Sequence, residues 1–221
     1  MADSDSSHGS TRFPRLQFRK GEGGYHAGRP CPPAAPRNEL APPRVTVRVA
    51  GCDGLVLRAA GPADLEAALA LHGRCSPGTL AGRYHGPVAE ADSYLRHLLS
   101  PRHGRSVVAE TGAGQLVALG HLLWDGEESE VALLVEDAWQ RRGVGSAVLR
   151  ELIGLAERDG RETVYAVTRT SNAGMAAVLR ATGLPVEHRA EEGALVLTAR
   201  LSPAGGRGAQ PSAALHGPAR W

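Results

Sequence analysis

The chain has 221 residues, of which 42% are hydrophobic, so it can form one domain of ordinary size with a buried core. Its formal net charge is only +2, and residues 55–201 carry 15 basic against 18 acidic side chains, which argues against a nucleic-acid-binding domain with its typical basic face. The three cysteines form no C-x-x-C pair and the nine histidines have no ligand spacing, so we expect neither a disulfide framework nor a bound metal.

Both ends of the chain have compositions typical of segments without a fixed fold. Residues 1–44 are rich in Gly, Pro, Ser and Arg, residues 202–221 are rich in Gly and Pro, and neither shows apolar periodicity. We therefore predict a disordered arm, one domain over 45–201 and a disordered tail. The N-terminus is polar and no stretch approaches about 18 apolar residues, so we expect a cytoplasmic protein without a membrane span. Lys20 is the single lysine, a bias typical of a high-GC bacterial genome.

The predicted elements alternate between apolar runs bounded by turn residues, which indicate strands, and apolar residues at helical spacing, which indicate helices. In chain order they are strands at 45–49 and 55–58, a helix beginning at 61–64, a helix at 89–99, strands at 106–110, 115–124 and 130–135, a helix at 144–158, a strand at 163–168, a helix between Asn172 and Gly183, and strands at 184–189 and 194–201. In the helix at 144–158, Val144, Val148, Leu152 and Leu155 form one apolar stripe, and Gly160 is the predicted stop.

The most informative segment joins the strand at 130–135 to the next helix through a turn with two glycines. Gly143 and Gly145 have no Cβ atoms, so a ligand can approach the backbone closely. The helix that follows directs unpaired N–H groups and the positive end of its dipole at an anion. Arg141 and Arg142 add positive charge, and together these features predict a phosphate-binding turn.

Two common phosphate-binding loops do not fit this turn. A dinucleotide-binding turn has a third glycine where this chain has Val148, and the Gly-Lys-Ser/Thr of a P-loop does not occur. The segment Gln140-Arg141-Arg142-Gly143-Val144-Gly145 resembles the Gln/Arg-x-x-Gly-x-Gly/Ala signature of the GNAT superfamily of acyl-CoA-dependent N-acetyltransferases. The resemblance implies that residues from Gln140 to Ser146 hold the pyrophosphate of coenzyme A. A turn that only connects a strand to a helix remains the alternative.

The order of the predicted elements over residues 55–201 also resembles the GNAT fold. The resemblance implies an α/β (α+β) fold with a mixed central sheet of about six or seven strands and about four flanking helices, splayed between the fourth and fifth strands. It further implies that backbone N–H groups of Leu134 or Val135 polarise the thioester beside the pantetheine arm. Asn172 matches an asparagine near the pantetheine in many members. A helix N-cap is the alternative role for Asn172, and the two roles can coexist.

Glu130 is the candidate general base. Attack on a thioester requires a neutral amine, and roughly one lysine in a few thousand is neutral at pH 7 because its ordinary pKa is about 10.4. Glu130 begins the strand that leads to the phosphate-binding turn, where GNAT members often have a catalytic glutamate. A carboxylate in a partly apolar cleft has a raised pKa, which suits a base. A solvated residue after the acidic turn at 125–128 is the alternative, and Glu128 and Glu136 are weaker candidates, the latter expected to face solvent.

The segment from Arg74 to Tyr84 is similar to the Leu-Ser-Pro-x-x-x-x-Arg-Tyr region of bacterial protein-lysine acetyltransferases, and residues 130–132 and 137–140 also match their pattern. The resemblance implies direct transfer of an acetyl group from acetyl-CoA to a primary amine, with a protein lysine as the acceptor, and it allows a homodimer. Cys75 has no evident histidine partner, so we expect no covalent acyl-enzyme. A small-molecule amine as acceptor and a non-catalytic acyl-CoA sensor remain the alternatives.

Overall fold

The computed structural model describes residues 45–49, 52–84, 91–191 and 194–201. The predicted disordered arm and tail lie outside the described residues and stay predictions. So does the middle of the predicted turn at 190–193, of which Glu192 and Gly193 are not described.

Eight strands and five helices make up the described part of the chain. In chain order they are β1 (Val45–Val49), β2 (Cys52–Ala60), α1 (Leu65–Arg74), α2 (Pro77–Tyr84), α3 (Ala91–Leu98), β3 (Gly104–Glu110), β4 (Leu116–Asp125), β5 (Glu128–Val135), α4 (Val144–Arg158), β6 (Thr163–Arg169), α5 (Ala173–Arg180), β7 (Val186–Glu191) and β8 (Ala194–Arg200). None of these helices combines the length and the apolar composition that crossing a bilayer requires.

The strands form one mixed sheet in the order β1-β2-β3-β4-β5-β6-β8-β7. All neighbours are antiparallel except β5 and β6, which are parallel and pair only at Ser129–Val164 and Glu130–Tyr165. Beyond these residues β5 and β6 diverge. They are the fourth and fifth strands when the count begins at β2, which contains residue 55, so the predicted splay is confirmed. The predicted α/β class with a mixed sheet is also confirmed, with eight strands where about six or seven were expected and five helices where about four were expected.

The sheet separates two apolar clusters. α4 and α5 cover one face, where Val148 and Leu152 are fully buried. α1, α2 and α3 cover the other face, where Leu71 and Leu95 pack against strand residues that include Leu134. Side chains of a strand alternate between the two faces, so Leu133 and Val135 of β5 pack against the first cluster and Leu134 between them belongs to the second.

α4 spans the residues predicted for it. Val144, Val148 and Leu152 of the predicted stripe are fully buried, and Leu155 is partly buried against the same cluster. Gly160 follows the helix with φ of +72°, in the left-handed region that glycine adopts without strain. Local sequence therefore determines both ends of this helix.

α2 is not predicted from the sequence. Gly78 and Gly82 disfavour a helix by roughly 1 kcal/mol each relative to alanine. The helix begins after Ser76, whose backbone N–H and hydroxyl donate to the Asp137 carboxylate at 2.8 and 2.7 Å, and the Thr79 hydroxyl donates to the same carboxylate at 2.8 Å. Ser76 is the local N-cap, because its hydroxyl accepts a hydrogen bond from the Thr79 N–H at 3.3 Å. Asp137, 61 residues beyond Ser76 in the chain, adds hydrogen bonds that the local sequence does not reveal.

Candidate active site

The divergence of β5 and β6 opens a cleft with a volume of about 780 Å³. Residues of α2 form one wall, and the first turns of α4 and α5 contribute to the other. The residues that were predicted from the sequence and that line the cleft are Leu134, Val135, Gln140, Arg141, Gly143, Gly145, Ser146 and Asn172. Three further predicted residues do not line it. The Val144 side chain is in the core, Arg142 is exposed with its guanidinium carbon 5.6 Å from the centre of the Trp139 ring, and Glu130 lies on β5 at the point where β5 and β6 diverge.

The turn that leads into α4 has left-handed backbone at two positions. Arg141 has φ of 59° and Gly143 has φ of 87°. Gly143 is the N-cap of α4 and has no side chain, so the first N–H groups of the helix receive no side-chain cap. Because Gly143, Gly145 and Ser146 line the cleft, these donors and the positive end of the helix dipole lie at its wall. The arrangement suits a pyrophosphate group.

Backbone groups of β5 alternate between β4 and the cleft. The Glu136 N–H donates to the Val117 carbonyl of β4 at 3.0 Å. Since directly opposed residues of an antiparallel pair alternate in their bonding, the Leu134 N–H is directed at β4 and the Val135 N–H at the diverging side. Of the two predicted amides, the geometry therefore favours the Val135 N–H for contact with a ligand. Leu134 also lines the cleft, but its N–H is directed at β4.

Glu130 lies at the point where β5 and β6 diverge, opposite Tyr165 in the last residue pair of their ladder. Glu130 is half-buried, whereas the alternative interpretation expected a solvated residue after the acidic turn at 125–128. Burial raises the pKa of Glu130 above its ordinary value of 4.5, although the positive charge of Arg83 lowers it. A carboxylate with a raised pKa is a more effective base near neutral pH. The role of Glu130 as the base stays a prediction.

Asn172 caps α5 as the alternative interpretation expects. Its Oδ1 accepts a hydrogen bond from the Met175 N–H at 3.3 Å, and its Nδ2 donates to the Thr168 hydroxyl at 2.9 Å. The residue also lines the cleft opposite Gly82 of α2. Contact between Asn172 and the pantetheine arm stays a prediction.

Sequence comparison agrees with this geometry. A family model described as an acetyltransferase (GNAT) domain matches residues 54–185, which is more than half of the chain. The chain belongs to the GNAT acetyltransferase family. It is therefore an acyltransferase, as the resemblance predicted. No curated protein sequence matches the chain at a significant level.

Several solved structures of acyltransferases are similar to this structure. The GNAT domain of S. lividans PAT is 22% identical with a TM-score of 0.66, covering 72% of this chain and 97% of that chain. A cAMP-binding acyltransferase from Mycobacterium smegmatis is 21% identical with a TM-score of 0.52, covering 77% of this chain and 51% of that chain. PaiA N-acetyltransferase from Thermoplasma acidophilum, in complex with coenzyme A, is 15% identical with a TM-score of 0.53, covering 66% and 99%. At these identities the likeness shows the fold.

Gln140 and Asp137 connect α2 to the end of β5 in this GNAT domain. The Gln140 side-chain amide donates to the Thr79 hydroxyl and to the Val135 carbonyl, both at 3.0 Å. Asp137 accepts hydrogen bonds from Ser76 and Thr79 at the beginning of α2. The phosphate-binding turn and the wall opposite it are therefore held together by one hydrogen-bonded network.

We expect Asp137→Asn to lower the free energy of unfolding by about 1 kcal/mol at pH 7, because the N-cap residue Ser76 and Thr79 lose the carboxylate that accepts their hydrogen bonds. Hydrogen bonds from the Ser76 backbone and hydroxyl lower the pKa of Asp137 below 3.8. A depressed folded-state pKa gives stability that is present above the unfolded pKa and is lost as the pH falls through the folded value. Urea unfolding of both proteins at pH 7 and about pH 3 measures the difference. A difference of the same size at both pH values would contradict this role.

The structure also describes the two weaker candidates for the general base, Glu128 and Glu136, and the cysteine considered for an acyl-enzyme, Cys75. Glu128 is exposed. The Glu136 side chain is only 13% exposed and pairs with Arg74 at 3.0 Å, so the expectation that it faces solvent is wrong. Burial raises the pKa of the Cys75 thiol to about 11, so the thiol is protonated at neutral pH and is a poor nucleophile.

Arg83 is the residue of the GNAT cleft whose importance the sequence did not reveal. It lines the cleft and is only 7% exposed, although it entered the sequence interpretation only as part of a motif. The segment around Gly82 and Tyr84 has no clear apolar periodicity, so an arginine in it is expected to be exposed at the surface. The Arg-Tyr pair of the family resemblance is the one signal that could have marked it.

Proposed function

We propose that the protein transfers an acetyl group from acetyl-CoA directly to a primary amine, with a protein lysine as the acceptor. One observation carries the proposal: the splayed strand β5 has a half-buried carboxylate, Glu130, where the splay begins and a phosphate-binding turn beyond its other end. A strand with these two features can present a bound thioester to an amine beside a base.

The residues of the cleft fit acetyl-CoA. The turn from Gly143 to Ser146 offers backbone N–H groups and a helix N-terminus to the pyrophosphate, and Arg141 adds positive charge. The diverging side of β5 offers the Val135 N–H to the pantetheine or the thioester oxygen. Coenzyme A supplies the acetyl group as a thioester.

Glu130 receives the proton that the amine loses. The amine nitrogen forms a C–N bond with the acetyl carbon, and the C–S bond breaks with its electron pair leaving on sulfur. The proton released from nitrogen passes to the Glu130 carboxylate, and the thiolate takes up a proton to complete the exchange. Because Cys75 is a protonated, buried thiol, direct transfer is favoured over a covalent acyl-enzyme.

The choice of a protein lysine rests on the segment from Arg74 to Tyr84, which resembles that of bacterial protein-lysine acetyltransferases. This segment includes α2, whose residues form one wall of the cleft. A small-molecule amine is the alternative acceptor. The cytoplasmic location and the homodimer stay predictions.

The test measures free-thiol release from acetyl-CoA with two separate acceptor pools, lysate proteins and a panel of small amines. Mass spectrometry then identifies the acetylated atom. Self-acetylation gives little background, because Lys20 is the only lysine of the chain. Turnover with proteins and acetylation of lysine Nζ support the proposal. Turnover with small amines alone contradicts the acceptor class, and binding of acetyl-CoA without turnover in either pool contradicts catalysis and favours the sensor.

A further inference from the structure

Arg83 is a buried cation at the wall of the cleft, and one edge of its guanidinium has no partner. The residue is only 7% exposed and lines the cleft that β5 and β6 open. Its Nε and Nη2 atoms are inaccessible to solvent and have no hydrogen-bond partner within the described residues. Buried unsatisfied polar groups are rare in native proteins and each requires an explanation, so Arg83 marks a candidate binding site.

Two other arginines of the chain that are partly buried have carboxylate partners. Arg58 pairs with Asp64 at 2.8 Å, and Arg105 pairs with Asp159 at 2.9 Å. Arg83 is more buried than either of them, but the described residues place no acceptor at its Nε or Nη2 atom. Because a buried guanidinium requires a counter-charge, we expect the partner of Arg83 to be an anion that the described residues do not supply.

The two unsatisfied atoms of Arg83 lie on the same edge of the guanidinium. In this planar group the Nε–H bond and one N–H bond of Nη2 point the same way and are nearly parallel. Two parallel donors match the two oxygens of a carboxylate, and such bidentate pairs are strong and geometrically specific. A carbonyl group has no charge, so it would leave the buried cation without a counter-charge. The edge therefore favours a carboxylate.

A series of hydrogen-bonded side chains supports the guanidinium. Its central carbon lies 4.8 Å from the centre of the Tyr84 ring. The Tyr84 hydroxyl is 2.7 Å from His72 Nε2, and His72 Nδ1 is 3.0 Å from an Asp92 carboxylate oxygen. Since Asp92 accepts from Nδ1–H, Nε2 is left as the acceptor for the tyrosine hydroxyl. The ring beside Arg83 is thus fixed by two hydrogen bonds, and this order lowers the cost of binding a ligand.

Arg83 lies beyond the phosphate-binding turn along α2. Gln140 of the turn donates to the Thr79 hydroxyl at 3.0 Å, and Arg83 follows Thr79 by one helical turn, a rise of about 6 Å. The neighbouring Gly82 faces the start of α5, since a Cβ atom at this position would lie 3.9 Å from Asn172 Nδ2. Arg83 is therefore placed for a part of the substrate beyond the pyrophosphate.

We propose that Arg83 binds a carboxylate of the substrate in the cleft through its Nε–H and Nη2–H groups. This edge is closed to solvent in the structure, so a small rotation of the flexible side chain accompanies binding. The carboxylate has two possible sources: an acyl group that ends in a carboxylate, or an acceptor amine that carries one, as a free amino acid or an acidic residue beside a protein lysine does. The proposal rests on the proposed function, because it places the site in the acyl-CoA cleft.

Calorimetric titration of acetyl-CoA and succinyl-CoA tests the acyl group as the source. In this case we expect succinyl-CoA to bind at least about tenfold more tightly than acetyl-CoA, and Arg83→Gln and Arg83→Met to abolish the difference. Arg83→Lys should keep only part of it, because an ammonium group lacks the two parallel donors. Arg105→Gln is the matched control and should keep the full difference, because Arg105 pairs with Asp159 and does not line the cleft. Circular dichroism checks that each variant is folded.

Titration of two small amines into the coenzyme A complex tests the acceptor as the source. N-α-acetyl-lysine has a free carboxylate, and N-α-acetyl-lysinamide differs from it in that group alone. In protein labelled with ¹⁵N-arginine, the Nε–H resonance of Arg83 is the one lost in Arg83→Lys. If the acceptor is the source, we expect the acid to bind at least about tenfold more tightly than the amide and to shift this resonance, and Arg83→Gln to make the two affinities equal.

Either difference, lost in the Arg83 variants, supports the proposal and names the source of the carboxylate. The absence of both differences in a protein that binds acetyl-CoA overturns the proposal and leaves an internal water as the partner of Arg83. A difference that survives in folded Arg83→Gln and Arg83→Met proteins also overturns it. If no form of coenzyme A binds, the proposed function fails and this site fails with it, so acetyl-CoA binding distinguishes the two failures.

Discussion

Glu130→Gln should reduce kcat for acetyl transfer by about 100-fold or more, because the amide cannot accept the proton of the attacking amine. Acetyl-CoA binding should change little, since Glu130 lies where β5 and β6 begin to diverge and not at the phosphate-binding turn. Burial raises the pKa of Glu130 above 4.5, so the wild-type rate should rise with pH as this carboxyl loses its proton. Steady-state thiol release and calorimetric titration of acetyl-CoA give the two quantities.

Glu128→Gln is the matched control for this prediction. Glu128 begins the same strand and is exposed, so the same chemical change two residues earlier should leave the rate within about twofold of wild type. The base assignment is contradicted if Glu130→Gln retains the wild-type rate, or if Glu128→Gln loses as much activity as Glu130→Gln. In the first case the protein would still be an acetyltransferase, but Glu130 would not be its general base.

Gly145→Glu should weaken acetyl-CoA binding by at least about 100-fold, because it places a negative side chain at the wall that receives the pyrophosphate. A Cβ atom at Gly145 would lie 3.5 Å from Val178 Cγ2 and 3.6 Å from Val135 Cγ2, which are ordinary contacts. The first atom of the new side chain therefore fits the fold, and the remaining atoms must extend into the cleft. Calorimetric titration of acetyl-CoA measures the loss, and circular dichroism checks that the variant is folded.

Gly145→Ala is the control, because a methyl group meets only those ordinary contacts and adds no charge. We expect this variant to keep most of the affinity. Gly143 is a less useful site for the same experiment, because its φ of +87° strains any side chain whatever the ligand does. Equal loss in Gly145→Ala and Gly145→Glu would show that packing, and not access of an anion, controls this position. Full affinity in Gly145→Glu would refute the assignment of the turn to pyrophosphate.

The elements with strong local signals were predictable. α4 carries an apolar stripe at helical spacing, a glycine turn before its first residue and Gly160 after its last turn, so its bounds follow from about 20 consecutive residues. The strands followed from apolar runs, and their bounds differ from the predicted ones by a few residues. The phosphate-binding turn was recognisable for the same reason, since Gly143 and Gly145 act through their own backbone.

α2 is the helix that was not predicted from the local sequence. Its glycines disfavour a helix, and although Ser76 caps it locally, the hydrogen bonds that hold Ser76 and Thr79 in place come from Asp137, 61 residues further along the chain. The burial of Arg83 has the same origin, because α2 packs on the sheet and turns that side chain towards the cleft. The nearby sequence shows neither the contacts of Asp137 nor the burial of Arg83.

The sequence by itself determined the order of the strands and of the helices other than α2, the phosphate-binding turn and the resemblance to the family, since these depend on residue types at short spacing. Only the tertiary structure decided that Val135 rather than Leu134 directs its N–H to the diverging side, that Glu130 is half-buried, and that Arg83 is buried at the wall of the cleft. The physical reason is that strand register, burial and charge proximity are relations between residues far apart in the chain. Such relations exist only after the sheet has brought them together.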